Sequence, residues 1–586
     1  MKFPTTKTIS FISSLLVGCQ LYAYSDTSYT VMAAGGSLKT CSSLSLNNCL
    51  DTISSNDYQK YKTQELYLVT ESGVKHILDN SYWQVKQSAV SELASLLSNF
   101  MEKHTTPLSR REFTRAIRDF SAEGEQFYQS LSDYDWFMLL DSLQVPQINN
   151  GARLKEKVFF DYNKYGASSE IYRSFVAMAQ KVAKDKKVKP VILVMTSSAR
   201  DPFDAVDFYV DIFAQAGAET IWLPIDQALQ TALANNQCEN LTDFHAKLTG
   251  TVRREGVYPD LVEYQMSHCQ SPDQLTALIN SANGIFINGG DQSLTRAALI
   301  PDSDSGFMQL IRKRVAKGEL VVGGTSAGAA VQSGVSFAGK RVPMITSGRS
   351  EDAIISGGFA RIPPAVGCTK NNSCNGIPEN ALTYNASGGL GLINTGIIDT
   401  HFSERARQIR LIQLAAQTQS SIAVGVDETT AVMISESQNH IEYKVIGQNG
   451  AWFFTNASLT KKAGCRKSIT TEAHYLRHRD ILKLDKTSLK TSISFANNPV
   501  NVSHKASKND DKNFFRRDNF RQFTNTIGPI NSAVNLQSIV DTNKISLELK
   551  PNSNYQINPA PLGQSISVQP VSFSDLRLSV QVCTDD

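Results

Sequence analysis

Residues 319–332, ELVVGGTSAGAAVQ, decide how this chain is read. Leu320, Val321 and Val322 form a short apolar run suited to a buried strand. Gly323 and Gly324 follow, then Thr325-Ser326-Ala327-Gly328, then small residues of good helix propensity. The pattern is strand, sharp turn, helix, with a serine at the apex. Flanking glycines permit the strained backbone such a turn needs, so Ser326 Oγ is expected to project into a cleft. The N–H of Ala327, at the helix start, would face an oxyanion formed beside it. The same letters also fit a Gly/Ala-rich junction whose serine does no chemistry, so the reading depends on partners elsewhere.

Around this stretch the chain alternates strand and helix. Residues 190–196 (PVILVMT) look like a central parallel strand. A helix at 204–216, a strand at 219–224, a helix at 271–282, a strand at 284–288 and a helix at 292–299 follow. Residues 29–41 (YTVMAAGGSLKTC) supply an earlier strand entering a glycine turn. Past the serine, 344–392 is rich in Gly, Asn and Pro and reads as an irregular loop over the strand ends. Residues 397–402 (IIDTHF) end a strand, 403–418 form a helix, and strands at 422–427, 430–435, 441–446 and 452–455 close the core. Repeated βα units argue for an α/β fold, a doubly wound and largely parallel sheet with flanking helices.

The division expected is a signal peptide over 1–25, a first core strand within 26–56, a helical insertion over 57–188, a catalytic core over 189–485, and a polar insertion with a β-rich C-terminal extension over 486–586. The helical part is amphipathic, for example at 90–101 and 123–143, and shows no chemistry. Its Trp83 and Trp136 read as core residues.

At 586 residues the chain exceeds one ordinary domain, and 41% hydrophobic with 19% charged residues describes a folded protein. A net charge of +3 without a basic run gives no nucleic-acid signature. Lys2 and Lys7 precede a short apolar stretch at 9–17, a signal peptide too short to span a bilayer. Residues 16–19 (LVGC) resemble a bacterial lipobox, which would make Cys19 a lipidated first residue; cleavage after Ala23 or Ser25 would instead release a soluble product. Either way the protein is expected outside the cytoplasm, periplasmic or extracellular. Setting Cys19 aside leaves eight of nine cysteines, an even number suited to an oxidising compartment. The pairing proposed is Cys41–Cys49, Cys238–Cys269, Cys368–Cys374 and Cys465–Cys583. No C-x-x-C occurs, so zinc binding by these cysteines is not indicated.

An elbow serine needs a base within hydrogen-bond reach and a group to orient that base. His401 is the best candidate, because it stands where a strand ends and a helix begins, on the edge that presents Ser326. His474 and His478 have metal-pair spacing without a third ligand, and the remaining histidines read as surface residues.

Four blocks, 286–294 (FINGGDQSL), the elbow GGTSAGAA, 399–411 (DTHFSERARQIRL) and 424–432 (VGVDETTAV), resemble cyanophycinase and the related serine peptidases of the peptidase E type, in order and in approximate spacing. The resemblance implies a fold like that of class I glutamine amidotransferases. It implies that Ser326 is the nucleophile, that His401 is the general base, and that an acid between them completes the triad. Glu351 is the first choice for that acid and Asp352 the second. The amides of Ala327 and Gly290 would form the oxyanion hole. Gln292, Asp399, Arg405, Arg407 and Arg410 match the substrate pocket, where guanidinium groups suit substrate carboxylates. Thr400 stands where the cyanophycin-degrading pattern has glutamine, which leaves the substrate open.

The function implied is an exported serine exopeptidase, without metal or cofactor, that cleaves cyanophycin or related acidic or β-aspartyl peptides through an acyl-enzyme. Its expected partners are that peptide, no nucleic acid, a membrane reached through Cys19, and a second copy in a homodimer. An α/β-hydrolase esterase shares the elbow, and a non-catalytic lipoprotein that captures acidic peptides would share the pocket.

Overall fold

The computed structural model describes residues 28–80, 87–120, 122–370, 372–496, 513–522, 533–559 and 571–583. The signal segment with Cys19, Ala23 and Ser25, and Trp83, lie outside the described residues.

The chain is a mixed α/β protein built on two sheets. The larger has nine strands in the order Thr491–Ser494, Ile481–Asp485, His440–Gly447, Thr430–Glu436, Val31–Ala34, Val321–Thr325, Gly284–Ile287, Val191–Met195 and Glu219–Trp222. The last five of these run parallel to one another. Val31–Ala34 pairs antiparallel with Thr430–Glu436, and antiparallel pairing continues to the far edge. The expected largely parallel sheet is therefore one half of the observed one. For one of these pairs the cause is simple: three residues join Thr430–Glu436 to His440–Gly447, and so short a link can only return the chain antiparallel.

Alternate residues of the parallel strands feed two cores. Val31, Ala33, Leu193 and Ile285 face one side, which Gln227–Asn235, Asp273–Ser281, Gln292–Leu299 and Gly306–Ala316 cover. Met32, Ala34, Val194 and Phe286 face the other, under Gly166–Val182 and Val206–Gln215. The helix Gly166–Val182, at the end of the helical stretch, thus lies on the sheet itself. Its Phe175 is wholly buried, and a Cβ on Gly323 would stand 2.6 Å from that ring, so the elbow strand is glycine where the aromatic packs. Replacing Phe175 with alanine would cost about 3–5 kcal/mol. The earlier helices, Glu71–Asp79 through Asp133–Leu143, gather a core of their own around Phe100, Phe113 and Trp136.

The second sheet has seven strands in the order Gly396–Thr400, Ile422–Val426, Gly450–Lys462, Cys465–Arg477, Val571–Cys583, Asn543–Pro559 and Val534–Val540. The first two are parallel and the rest antiparallel. The C-terminal strands are not an appendage but continue a sheet that starts inside the expected core. The strands expected at 422–427 and 452–455 belong to this sheet, whereas those near 430–435 and 441–446 belong to the larger one.

The four disulfides are the proposed pairs Cys41–Cys49, Cys238–Cys269, Cys368–Cys374 and Cys465–Cys583. Two local expectations fail. The helix expected over 403–418 is broken: a 3-10 turn Ser403–Arg405 ends at Ala406, whose φ of 49° is left-handed, and Gln408–Thr418 starts afresh. The stretch 344–392 is not wholly irregular, since it holds the helix Ser350–Ser356 and a three-stranded sheet.

Candidate active site

Strand Val321–Thr325 delivers Ser326 at φ 55° and ψ −116°, directly before the short helix Ala327–Ala330. A side chain at positive φ costs of the order of 1–3 kcal/mol and persists only where its surroundings enforce it. Here Ser326 N–H donates to Ala34 O at 2.9 Å, and Ser326 O accepts from the amides of Ala329 and Ala330. The glycines on either side are steric necessities: a Cβ on Gly324 would lie 2.2 Å from Gly328 O, and one on Gly328 would lie 2.3 Å from Ile287 O.

His401 leaves the second sheet just past Gly396–Thr400, also with positive φ, at 47°. Its N–H donates to Gly35 O at 2.7 Å. Its ring lies on Gly36, where a Cβ would approach Cε1 to 2.4 Å. Ser326 Oγ and His401 Nε2 are 2.8 Å apart. On the other side of the ring, Nδ1 is 2.7 Å from Glu428 Oε1. The register explains the meeting: Thr400 pairs with Val426 on the parallel neighbour, so His401 and Glu428 emerge at one sheet edge.

Glu351 and Asp352 are not at this site. They sit in Ser350–Ser356, a helix tied to the next by Ser350 Oγ, which donates to Ala406 O and accepts from Arg410 N. The acid that meets His401 follows it in the chain, so the order is serine, histidine, glutamate. The expectation failed because the acid was sought between Ser326 and His401. The available signal was Asp427-Glu428 at the end of the apolar run Ile422–Val426.

The charges favour a neutral imidazole. Burial holds the His401 pKa below 6.5; the hydrogen bond to Glu428 opposes this, while Arg405 and Arg407 add to it. The hydrogen bond from His401 holds the Glu428 carboxyl below its usual range. Glu428 N–H donates to Glu404 Oε2 at 3.0 Å, which fixes the backbone of the acid. Burial raises Glu404 to about 7, with the Asp427 carboxylate adding to the shift and Arg521 opposing it.

Of the two expected oxyanion donors, Ala327 directly follows the serine. Ala327 opens its helix, so its N–H has no intrahelical acceptor. The turn Gly289-Gly290 lies alongside, with the Cβ position of Gly289 3.3 Å from Ser326 Cβ. Gly290 has φ 146°, and a Cβ there would lie 1.9 Å from Ser198 O. The Gly289 amide already faces the Tyr209 hydroxyl.

The expected pocket residues divide. Asp399 and Arg410 are buried and face each other, with Nε–Oδ2 at 2.8 Å and Nη2–Oδ1 at 2.6 Å. Arg410 Nη1 donates to Gly348 O at 2.5 Å, so this guanidinium is spent inside the protein rather than held out to a ligand. Arg407 donates to Thr400 O at 2.7 Å and lies 3.3 Å from Asp399; burial and neighbouring Arg410 lower its pKa to about 9. Arg405 is exposed. Thr400 is buried. Gln292 donates to the carbonyls of Ile345 and Thr346, which braces the neighbouring loop.

Among the described residues no group of three or more His, Cys, Asp or Glu side chains is arranged to hold a metal. His474 is fully buried and accepts from Asp575 N–H, whereas His478 accepts from Gly447 N–H beside Glu170. His245 and His268 are buried rather than on the surface, His245 lying 3.0 Å from Gln265 Oε1.

No protein-family model matches the chain. Among curated proteins it is 26% identical over 245 residues to a cyanophycinase of Trichormus variabilis, which is 42% of this chain and 57% of that protein. It is 28% identical over 258 residues to the cyanophycinase of Geminocystis herdmanii, 44% of this chain and 66% of the relative. With that of Synechococcus elongatus it shares 30% identity over 161 residues, 28% of this chain and 39% of the relative. The chain thus spans about half the length of the curated relatives it matches. By sequence, this chain is a relative of the cyanophycinases.

Proposed function

We propose that this protein is a serine-type peptidase that hydrolyses cyanophycin or related acidic, β-aspartyl-linked peptides. The observation that carries the reading is the relay of Ser326 Oγ, His401 and Glu428, with separations of 2.8 Å and 2.7 Å. Ser326 attacks the scissile carbonyl while His401 Nε2 takes its proton; Glu428 holds the ring and stabilises the imidazolium. The amides of Ala327 and Gly290 receive the oxyanion, the Gly289 amide being engaged with Tyr209. His401 then gives its proton to the leaving amine, and water admitted by the same base cleaves the acyl-enzyme. Arg405 and Arg407 supply positive charge beside His401 for substrate carboxylates.

The elbow at the carboxyl edge of parallel strands supports a class I glutamine amidotransferase-like core. Four disulfides support an exported enzyme. The test is product analysis by mass after incubation with cyanophycin, beside a p-nitrophenyl ester. Release of β-Asp-Arg dipeptides that ceases in Ser326→Ala supports the proposal. Ester turnover without peptide cleavage would replace it with an esterase.

A further inference from the structure

The segment 513–522, carried in from far along the chain, docks directly behind the relay. Phe514, Phe515 and Phe520 are buried, Phe520 edge-on to Trp452 at 5.4 Å. Asp518 N–H donates to Ser403 O at 2.9 Å, two residues past His401. From this anchor Arg521 reaches two buried carboxylates with one nitrogen: Nη1 is 2.7 Å from Glu404 Oε1 and 3.0 Å from Asp427 Oδ2. Its Nη2 lies 2.7 Å from Asp518 Oδ1.

Both carboxylates hold the relay by their remaining bonds. Glu404 Oε2 accepts the N–H of Glu428 at 3.0 Å. Asp427, the residue before Glu428, accepts Ser403 N–H at 2.9 Å and the Tyr475 hydroxyl at 2.8 Å. Two carboxylates crowded into one dry site repel each other, and a cation between them offsets that repulsion.

We propose that Arg521 is a positioning residue for the His401–Glu428 pair, acting through Glu404 and Asp427. The inference rests on the reading of Ser326, His401 and Glu428 as a catalytic relay, and it adds to that relay a residue from the C-terminal part of the chain. Without Arg521 one carboxylate takes a proton or the two swing apart, and Glu428 loses the fixed backbone that aims it at His401. Among the described residues, Tyr475 and Asp518 also face Arg521. His401 faces Glu428, Arg405 and Arg407; Glu428 also faces Ser37 and Arg517; Glu404 faces Asp427, Arg521 and Asn449.

The test uses the full chain and follows, across pH, both cyanophycin hydrolysis and the labelling of Ser326 by a fluorophosphonate probe. Arg521→Met is expected to lower kcat and the labelling rate about tenfold or more with KM within about twofold, and to move the acid limb to higher pH. Arg521→Lys should retain a larger share of the rate. Adding Glu404→Gln to Arg521→Met removes the stranded charge but keeps an acceptor for Glu428 N–H, so the double variant should recover most of the loss. A merely structural segment would lower the melting temperature of single and double variants alike and leave their pH profiles unmoved, which overturns the inference. Equal labelling of wild type and Arg521→Met also overturns it, while leaving the serine reading intact. A wild-type chain that is not labelled at Ser326 overturns both.

Discussion

The two sheets divide the work at the site, and they do so by different means. The nine-stranded sheet presents Ser326 through a motif legible in local sequence: a buried strand, two glycines and a turn that holds one residue at positive φ. The seven-stranded sheet presents His401 and Glu428 through register, because neighbouring parallel strands end together. The sheets meet at Gly35-Gly36, which accepts His401 N–H and leaves no room for a Cβ against the ring or against Asp427 O. A serine presented by a motif can be read from a string of letters. An imidazole and a carboxylate brought together by register require two strands, the second 22 residues beyond the first, to be placed side by side.

Substitutions at the two sheets should separate these contributions. Ser326→Ala removes the proposed nucleophile and should lower kcat by about 10⁴-fold or more, with the melting temperature little changed because alanine keeps the Cβ at the elbow. Glu428→Gln keeps the shape but not the charge on the second sheet, and should cost about 10²–10⁴-fold in kcat, whereas Glu351→Gln should stay within about twofold. Equal losses in the two glutamate variants, measured side by side, would erase the distinction between register and chain order.

The second sheet is also the one closed by a long-range cross-link, Cys465–Cys583, across 118 residues. Replacing both cysteines with serine should cost about 2–4 kcal/mol in chemical denaturation and should loosen His401 and Glu428 before Ser326. The smallest effect concerns pH. Burial favours neutral His401, so its folded pKa lies below the ordinary 6.5. The base is therefore fully available above 6.5, and kcat/KM should fall only as pH drops through that lowered value. Between the two values the unfolded chain binds more protons, so this group also removes stability as pH falls. An acid limb with its midpoint above 6.5 would contradict the assignment.

Local physics made much of this legible in the sequence. Apolar runs marked the parallel strands, the glycine-flanked serine marked the elbow, the strand-to-helix junction marked His401, and close spacing suggested the pairs Cys41–Cys49 and Cys368–Cys374. What escaped was non-local. The carboxylate that meets His401 escaped because chain order says nothing about which turn faces a ring nitrogen, and Glu428 arrives by strand pairing. Asp399 and Arg410 read as pocket groups, yet folding turned them onto each other, since a buried carboxylate is stabilised by the nearest fork of donors. The polar residues 513–522 read as a loose insertion, yet three phenylalanines dock them under the site and bring Arg521 to two buried acids. The sequence by itself therefore determined the strands and the elbow, which depend on neighbours in the chain. Only the tertiary structure decided which acid, which arginines and which distant segment complete the site, because hydrogen bonds and ion pairs form between whatever groups packing brings within reach.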